Sequence, residues 1–124
     1  MDFKELIAYQ KAFKLAMEIF KISKQFPKEE KYSLTDQIRR SSRSTCVNLA
    51  EAYRKRIYPR HFITKLTDSD GENSETIVWL DFALECEYLD KETHYLLYSE
   101  CLEIGKILNY MMNNPDKFGS DKEF

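Results

Sequence analysis

Apolar residues recur every three or four positions through four long stretches of this chain, and that spacing is the strongest constraint on its fold. This spacing is typical of amphipathic helices, each with one face directed into a core. In the first stretch the inner line is Leu6, Tyr9, Phe13, Ala16 and Phe20. Only three prolines and three glycines are available to interrupt such stretches. The sequence therefore predicts an all-α fold of four helices.

Prolines and short polar residues predict where the helices begin and end. Pro27 ends a first helix over residues 3–26, because proline disfavours helical geometry in the residue before it. Ser33 is expected to cap the second helix through its hydroxyl. Pro59 suits the first turn of a third helix, where its missing amide has no cost, and Asp90 is predicted to cap the fourth.

Four helices joined by short connectors predict an antiparallel up-down-up-down four-helix bundle. At 124 residues the chain is long enough for one core. We assign residues 1–115 to a single domain and 116–124 to a short, charged and frayed tail in which Phe118 and Phe124 could dock.

Two features within the helices suggest close contacts. The fourth helix carries more apolar surface than an isolated bundle must bury, which predicts a subunit interface. The second apolar line is Tyr98, Leu102, Gly105 and Met112. Gly71 lies inside the third helix, where glycine costs about 1 kcal/mol relative to alanine. A close helix crossing or a local bend is therefore expected at Gly71.

Charge is divided unevenly along the chain. Residues 1–60 hold 14 basic and 7 acidic side chains, whereas residues 61–124 hold 5 and 14, and the total is −2. The asymmetry indicates either a basic binding face or two halves that neutralise each other within the bundle or between subunits.

Arginines of the second helix are expected to meet acids of the third. A turn near Ile57 pairs positions whose numbers sum to about 114. Arg39 and Arg43 are therefore expected to face three acids of the third helix, Asp68, Glu72 and Glu75. Residues one helical turn apart share a face, so a ladder of ion pairs that fixes helix register is predicted. The alternative is a ligand or metal site built from the acidic side chains.

Asn48 and Glu51 lie one turn apart beside the packed face of the second helix. Buried polar groups are normally hydrogen-bonded, so the pair predicts a hydrogen-bonded layer with a neighbouring helix. The alternative is a ligand-binding role.

Positive charge is concentrated where the second helix ends, beside Tyr53 and Tyr58. Phosphate neutralisation combined with aromatic stacking is one way to bind RNA or single strands. The alternative is a solvated basic end that complements the helix dipole. The candidate nucleic-acid-binding residues are Arg54, Lys55, Arg56, Arg60 and Lys65, together with Arg40 earlier in the second helix.

The sequence holds no catalytic or cofactor signature. There is no phosphate-binding glycine loop, no Ser-His-Asp arrangement and no Glu-x-x-His motif, so we predict neither enzyme activity nor a cofactor nor a metal site. His61 and His94 are expected to be surface residues. The three cysteines lack disulfide or zinc spacing, and no apolar run reaches the roughly 18 residues of a membrane span. A cytoplasmic protein without a membrane association is predicted.

Several segments in order resemble the bacterial four-helix-bundle proteins encoded in 23S ribosomal RNA intervening sequences. The resemblance covers nearly the whole chain, from about residue 3 to residue 113. The segments are Tyr-Gln-Lys-Ala at 9–12, Phe-Pro-Lys-Glu at 26–29, Gln-Ile-Arg-Arg at 37–40, Asn-Leu-Ala-Glu at 48–51, Arg-Lys-Arg at 54–56, Gly-Glu-Asn-Ser-Glu-Thr at 71–76, Trp-Leu at 79–80 and Tyr-Leu at 88–89.

The resemblance implies a homopentameric ring without established enzymatic activity. Relatives include accessory proteins of diversity-generating retroelements, which bind nucleic acid and a reverse transcriptase. The matching positions are Arg39, Arg40, Asn48, Glu51, Glu72 and Glu75, together with the basic segment at 54–56. We therefore expect either an RNA-associated accessory protein or a scaffold ring that binds a protein partner. Cys46 and Ala52 depart from the family, in which many members have proline and glycine there.

Overall fold

The computed structural model describes residues 2–121, which form four α-helices and no strands. The all-α, four-helix prediction is confirmed. None of the helices within the described range is long and apolar enough to span a membrane. The helices are α1 (Ile7–Ser23), α2 (Leu34–Arg54), α3 (Pro59–Glu85) and α4 (Lys91–Asn113).

The first helix is shorter than predicted at both ends. Phe3–Glu5 is a separate 3-10 turn, in which the Asp2 amide donates to the Glu5 carboxylate at 2.7 Å. Leu6 is extended and buried, so α1 begins only at Ile7. The helix ends at Ser23, three residues before the predicted end, and the amide of Phe26 closes a turn on the Ser23 carbonyl at 3.1 Å.

One predicted cap is confirmed and the other is wrong. Asp90 accepts a hydrogen bond from the Thr93 amide at 2.7 Å, and this bond lowers the pKa of Asp90. The Ser33 hydroxyl makes no cap bond to the start of α2. Instead, Ser33 donates to Glu30, which also accepts from the Leu34 amide at 3.3 Å. A carboxylate from the preceding 3-10 turn therefore caps α2.

Small polar residues fill the contact between α2 and α3. The hydroxyls of Ser41 and Thr76 lie 2.8 Å apart, and Ser69 donates to the Thr45 carbonyl at 2.7 Å. All four residues are buried. The short side chains allow the two backbones to approach closely, while larger apolar side chains fill the rest of the core. Fully buried members of that core include Ile19, Ile38, Leu49, Phe62, Leu66, Leu80, Leu97, Ile104 and Leu108.

The two helical glycines have different surroundings. Gly71 is exposed, α3 continues through it, and a Cβ built there would meet nothing within 4 Å. No close helix crossing within the described residues explains it. Gly105 does face a neighbour, because a Cβ there would lie 3.6 Å from Asn73 Nδ2. Met112 also turns towards α3, where it accepts from Thr67, and this leaves Leu102 as the exposed member of the second apolar line.

The tail is packed rather than frayed as far as Ser120. Pro115–Phe118 forms a 3-10 turn, and the Phe118 ring meets Tyr110 edge to face at 6.1 Å. Pro115 and Ser120 are buried, and the Ser120 amide donates to the Pro115 carbonyl at 3.0 Å. Burial of the proline anchors the turn on the bundle. The predicted docking of Phe124 lies outside the described residues.

Candidate nucleic-acid interface

The connection between α2 and α3 is a single tight turn. The Lys55 amide still bonds the Ala52 carbonyl at 3.0 Å, and the Tyr58 amide bonds the Lys55 carbonyl at 2.9 Å. Pro59 then starts α3, as predicted. This turn projects the side chains at the end of α2 and the start of α3 to one end of the molecule.

Arg54 and Lys55 are the least constrained cations of this turn. Arg54 is exposed and Lys55 half-buried. Arg56, by contrast, stacks on Tyr53 at 4.1 Å from the ring centroid and donates to the Tyr53 carbonyl at 2.8 Å. Its side chain also covers Gly119, where an added Cβ would approach it to 3.1 Å. Arg56 is therefore mainly structural, since its packing joins the turn to the C-terminal segment.

Two aromatic rings stand beside these cations. Tyr58 is 59% exposed, and its ring centroid lies 5.8 Å from that of the exposed His61. We call the four residues Arg54, Lys55, Tyr58 and His61 the basic corner. Arg60 is exposed next to it but has an interaction partner of its own. Accessible cations next to exposed rings suit a ligand with phosphates and unpaired bases.

Lys65 is not a free cation. Its ammonium lies 2.9 Å from Glu51 Oε2 and 3.5 Å from Asn48 Oδ1. The hydrogen bond to Glu51 raises the pKa of Lys65. Asn48 and Glu51 thus join α2 to α3, in agreement with the predicted polar layer, and Lys65 belongs to that layer instead of the nucleic-acid site.

The predicted arginine ladder has the right register but the wrong face. Arg39 donates to Ser23 Oγ at 2.8 Å and stacks on Phe20 of α1 at 4.8 Å. Arg43 lies over the same ring at 5.6 Å. Neither makes the predicted ion pairs with Glu72 or Glu75 within the described residues. The cause is the helical period, since residues 39 and 43 lie on the edge of α2 nearest α1.

Arg40, one position further round α2, is the arginine that faces the acids of α3. Its charge offsets part of the rise in the pKa of Glu72, which burial causes first and Glu75 second. Glu75 also accepts a hydrogen bond from Trp79 Nε1 at 3.3 Å. Arg40 therefore belongs to a predominantly acidic surface and is a poor candidate for phosphate binding.

An acidic groove lies beside Gly71 on this surface. It has a volume of about 430 Å³. The residues that line it are Asn48, Thr67, Asp68, Gly71, Glu72 and Glu75.

No group of three potential ligands within the described residues could hold a metal ion. His94, predicted to be a surface residue, is half-buried and contacts the exposed Asp81 at 2.8 Å. Burial raises the pKa of Cys46 to about 11 and that of Cys101 to about 12. Both thiols stay protonated at neutral pH and are poor nucleophiles.

Two features of α1 were not predicted from the sequence. The carboxyl of Glu18 lies close enough to Glu100 of α4 to raise its pKa, a proximity that only tertiary packing creates. An apolar groove of about 490 Å³ runs between α1 and α2, and its walls include the exposed side chains of Phe13, Met17 and Val47. The spacing of Phe13 in an apolar line suggested that it was buried, and no signal separated it from the core positions.

The protein is an all-α, four-helix protein with a basic corner at its α2–α3 turn. Over residues 4–110 the sequence matches the 23S rRNA-intervening sequence protein family, and the chain belongs to that family. It is similar in structure to a protein of unknown function from the S23 ribosomal protein family of Bacteroides thetaiotaomicron. The two share 28% identity with a TM-score of 0.79, over 86% of this chain and 96% of the other. No curated protein matches the chain.

Proposed function

We propose that this protein is a non-enzymatic, homo-oligomeric accessory protein that associates with RNA through the basic corner. The observation that carries the proposal is the exposure of both Arg54 and Tyr58, four positions apart, at the α2–α3 turn. Cations bind phosphates and an exposed ring stacks on an unpaired base. The family description, which refers to an intervening sequence of 23S rRNA, favours RNA as the nucleic acid.

The proposed architecture is an antiparallel up-down-up-down bundle that assembles as a homopentamer in the cytoplasm. Contacts with falling numbers on α3 support the antiparallel order: Ser41 with Thr76, Thr45 with Ser69, and Asn48 with Lys65. Assembly repeats the basic corner around a ring. Linked copies bind a multivalent RNA more tightly than one copy does, which compensates for a small site.

Electrophoretic mobility shift with an RNA hairpin, measured across a salt series, tests the RNA proposal. Phosphate binding makes the logarithm of the affinity fall linearly with the logarithm of the salt concentration. We expect the Arg54→Gln/Lys55→Gln double variant to weaken binding and to reduce the slope by about 1.4, as expected for two lost contacts to a single strand. Tyr58→Ala should weaken binding by about 1–3 kcal/mol with an unchanged slope.

The matched control is the Lys28→Gln/Lys91→Gln double variant. Both lysines are exposed and lie at the connectors of the opposite end. It removes the same charge away from the basic corner, so binding should change far less. Absence of a shift at low salt, or equal losses in both double variants, would contradict the assignment.

A second function, a scaffold ring that binds a protein partner, is favoured by the exposed apolar side chains of the α1–α2 groove. Large exposed apolar patches commonly mark protein contacts. Recovery of one defined protein from nuclease-treated lysate, with equal recovery by the Arg54→Gln/Lys55→Gln variant, would support the scaffold over RNA association.

A further inference from the structure

The α1–α2 groove is mainly apolar and is lined by two charged residues, Arg43 and Glu51, of which Glu51 is paired with Lys65. Phe13 is 52% and Val47 54% exposed, and Arg43 lines the same groove. Within their helical ranges, α1 and α2 together carry seven basic and three acidic side chains, and Arg43 is the base that lines the groove. Water contacts these apolar walls in the single chain, and their burial would be favourable. The groove therefore suits a partner that is apolar and negatively charged.

The outward line of α3 has that chemistry. Its members recur at spacings of three and four, so they form one ridge along the helix. The ridge consists of Asp68, Gly71, Glu75, Val78 and Phe82. Val78 and Phe82 are about half exposed, at 49% and 53%. Together α3 and α4 carry four basic and nine acidic side chains, the reverse of the groove side.

Gly71 leaves the ridge without a side chain between its two acids, Asp68 and Glu75. Nothing lies within 4 Å of a Cβ built at this position, so contacts within the chain do not require glycine. Yet glycine inside a helix costs about 1 kcal/mol relative to alanine. Close approach by another molecule would account for it, because a helix without a side chain at that position admits a neighbour nearer its axis.

We infer that the α3 ridge of one copy docks into the α1–α2 groove of a second copy. This interface rests on the self-assembly proposed above and assigns its two surfaces. The charges match because Arg43 on the groove meets acids on the ridge, while apolar side chains from both copies exclude water between them. The two surfaces differ, so the contact is heterologous and repeats from copy to copy until a ring closes.

Burial of the acidic ridge against basic side chains also relieves a charge excess. Glu72, which is on α3 next to Gly71 of the ridge, has a raised pKa because burial and the neighbouring Glu75 both disfavour its ionisation, and Arg40 offsets only part of this. Arg43 of a second copy would bring further positive charge to these acids.

Light scattering after size exclusion, over a dilution series of the full chain, tests this interface. Gly71→Gln should leave the fold intact, since the space around position 71 is open, and should raise the concentration for half-assembly by about tenfold or more. Arg43→Glu and Glu75→Arg should each have the same effect. The double variant carrying both reversals should assemble again, because the pair is restored with inverted sign.

Glu85→Gln and Lys91→Glu are the matched controls, both at exposed sites near the α3–α4 connection. They should assemble as the wild type does. If a charge variant loses its helical circular dichroism, Phe13→Gln and Phe82→Gln at exposed side chains replace it.

The outcomes separate the interface from the assembly on which it rests. A monomeric wild type at all concentrations overturns both. A wild-type oligomer whose mass is unchanged in Gly71→Gln and in both charge reversals leaves self-assembly standing and overturns this interface. RNA binding by a dissociated variant would persist with reduced affinity, since none of these substitutions alters the basic corner.

Discussion

The α2–α3 and α1–α4 contacts join neighbouring helices but handle buried polar groups differently. Between α2 and α3, Ser41 and Thr76 bond each other and Ser69 bonds a backbone carbonyl. Between α1 and α4, the carboxyls of Glu18 and Glu100 interact with each other, while Glu18 Oε1 and Glu100 Oε2 are buried without a hydrogen-bond partner in the described range. Short hydroxyls can be satisfied locally by helix backbones, whereas paired carboxyls need a shared proton.

The α2–α3 contact therefore depends mainly on side-chain size, whereas the α1–α4 contact depends on the protonation of its carboxyls. Burial raises the pKa of Glu100 to about 7, with a further contribution from Glu18 that Lys14 partly offsets. The remaining charges at this contact are Glu103 of α4 and Lys11 of α1, which form an ion pair at 2.8 Å. We expect the α2–α3 contact to be sensitive to side-chain volume and the α1–α4 contact to be sensitive to pH.

The largest expected effect is from added volume between α2 and α3. Ser69 is fully buried, so Ser69→Leu forces the helices apart and removes the bond to Thr45. We expect the free energy of unfolding to fall by about 3 kcal/mol. Urea denaturation measures it. Ser99→Leu, at a half-buried position of α4, is the control. An equal loss of stability in both variants would remove the distinction between the contacts.

The next effect is a pH dependence at the α1–α4 contact. The raised pKa of Glu100 means that the folded state favours the protonated carboxyl. Its stabilising contribution is therefore complete below the ordinary pKa of 4.5 and is lost as the pH rises through about 7. Because Glu100 is partly solvated, we expect a loss of only about 1 kcal/mol between pH 5 and pH 8.

Glu100→Gln should abolish this loss, so that the variant is more stable than the wild type at pH 8 and similar to it at pH 5. Glu103→Gln is the matched control with the opposite sign. Its pKa is lowered by the bond from Lys11, so the wild-type carboxylate stabilises at neutral pH and the variant should be less stable there. Denaturation midpoints at pH 5 and pH 8 test both variants. If the wild type and Glu100→Gln change in stability equally between these pH values, the idea of a shared proton is excluded.

The smallest expected effects come from the ion pairs that flank the two contacts. Lys65→Met breaks the bonds to Glu51 and Asn48, and Lys11→Met breaks the pair with Glu103. Solvent screens exposed pairs, so both changes should be smaller than that of Glu100→Gln. The loss of stability should be larger in Lys65→Met, because the Lys65 ammonium of the wild type has two partners. Thermal melts at low and high salt measure both, and a greater loss in Lys11→Met would reverse this ranking.

Helix number, most helix boundaries and the α2–α3 register could be predicted from the sequence. Helical periodicity and prolines carry that information locally, as at Pro59. The face of Arg39 could not be predicted, because positions 39 and 40 differ by about 100° around the helix and only packing decides which neighbour each meets. Arg39 meets α1 through Ser23, while Arg40 influences Glu72.

The candidate site was predicted in outline but too broadly. The run of cations at 54–56 marked the α2–α3 turn correctly. Its charge pattern did not reveal that Arg56 is held by Tyr53 or that Lys65 is paired with Glu51, since both contacts depend on rotamers and tertiary neighbours. Capping by Glu30 was missed for a similar reason, because Ser33 offered the commoner local signal.

The packing of Arg56 over Gly119 has a consequence for the order of events during translation. Residues of the α2–α3 turn leave the ribosome about sixty positions before Gly119, whose left-handed φ of 83° shapes the closing turn. Domains begin to fold while the chain is still being made. Arg56 can contact Tyr53 as soon as the turn forms, but its packing over Gly119 must wait for the final segment. A nascent chain stalled before residue 119 would hold the helices of the turn with one side of this arginine still uncovered.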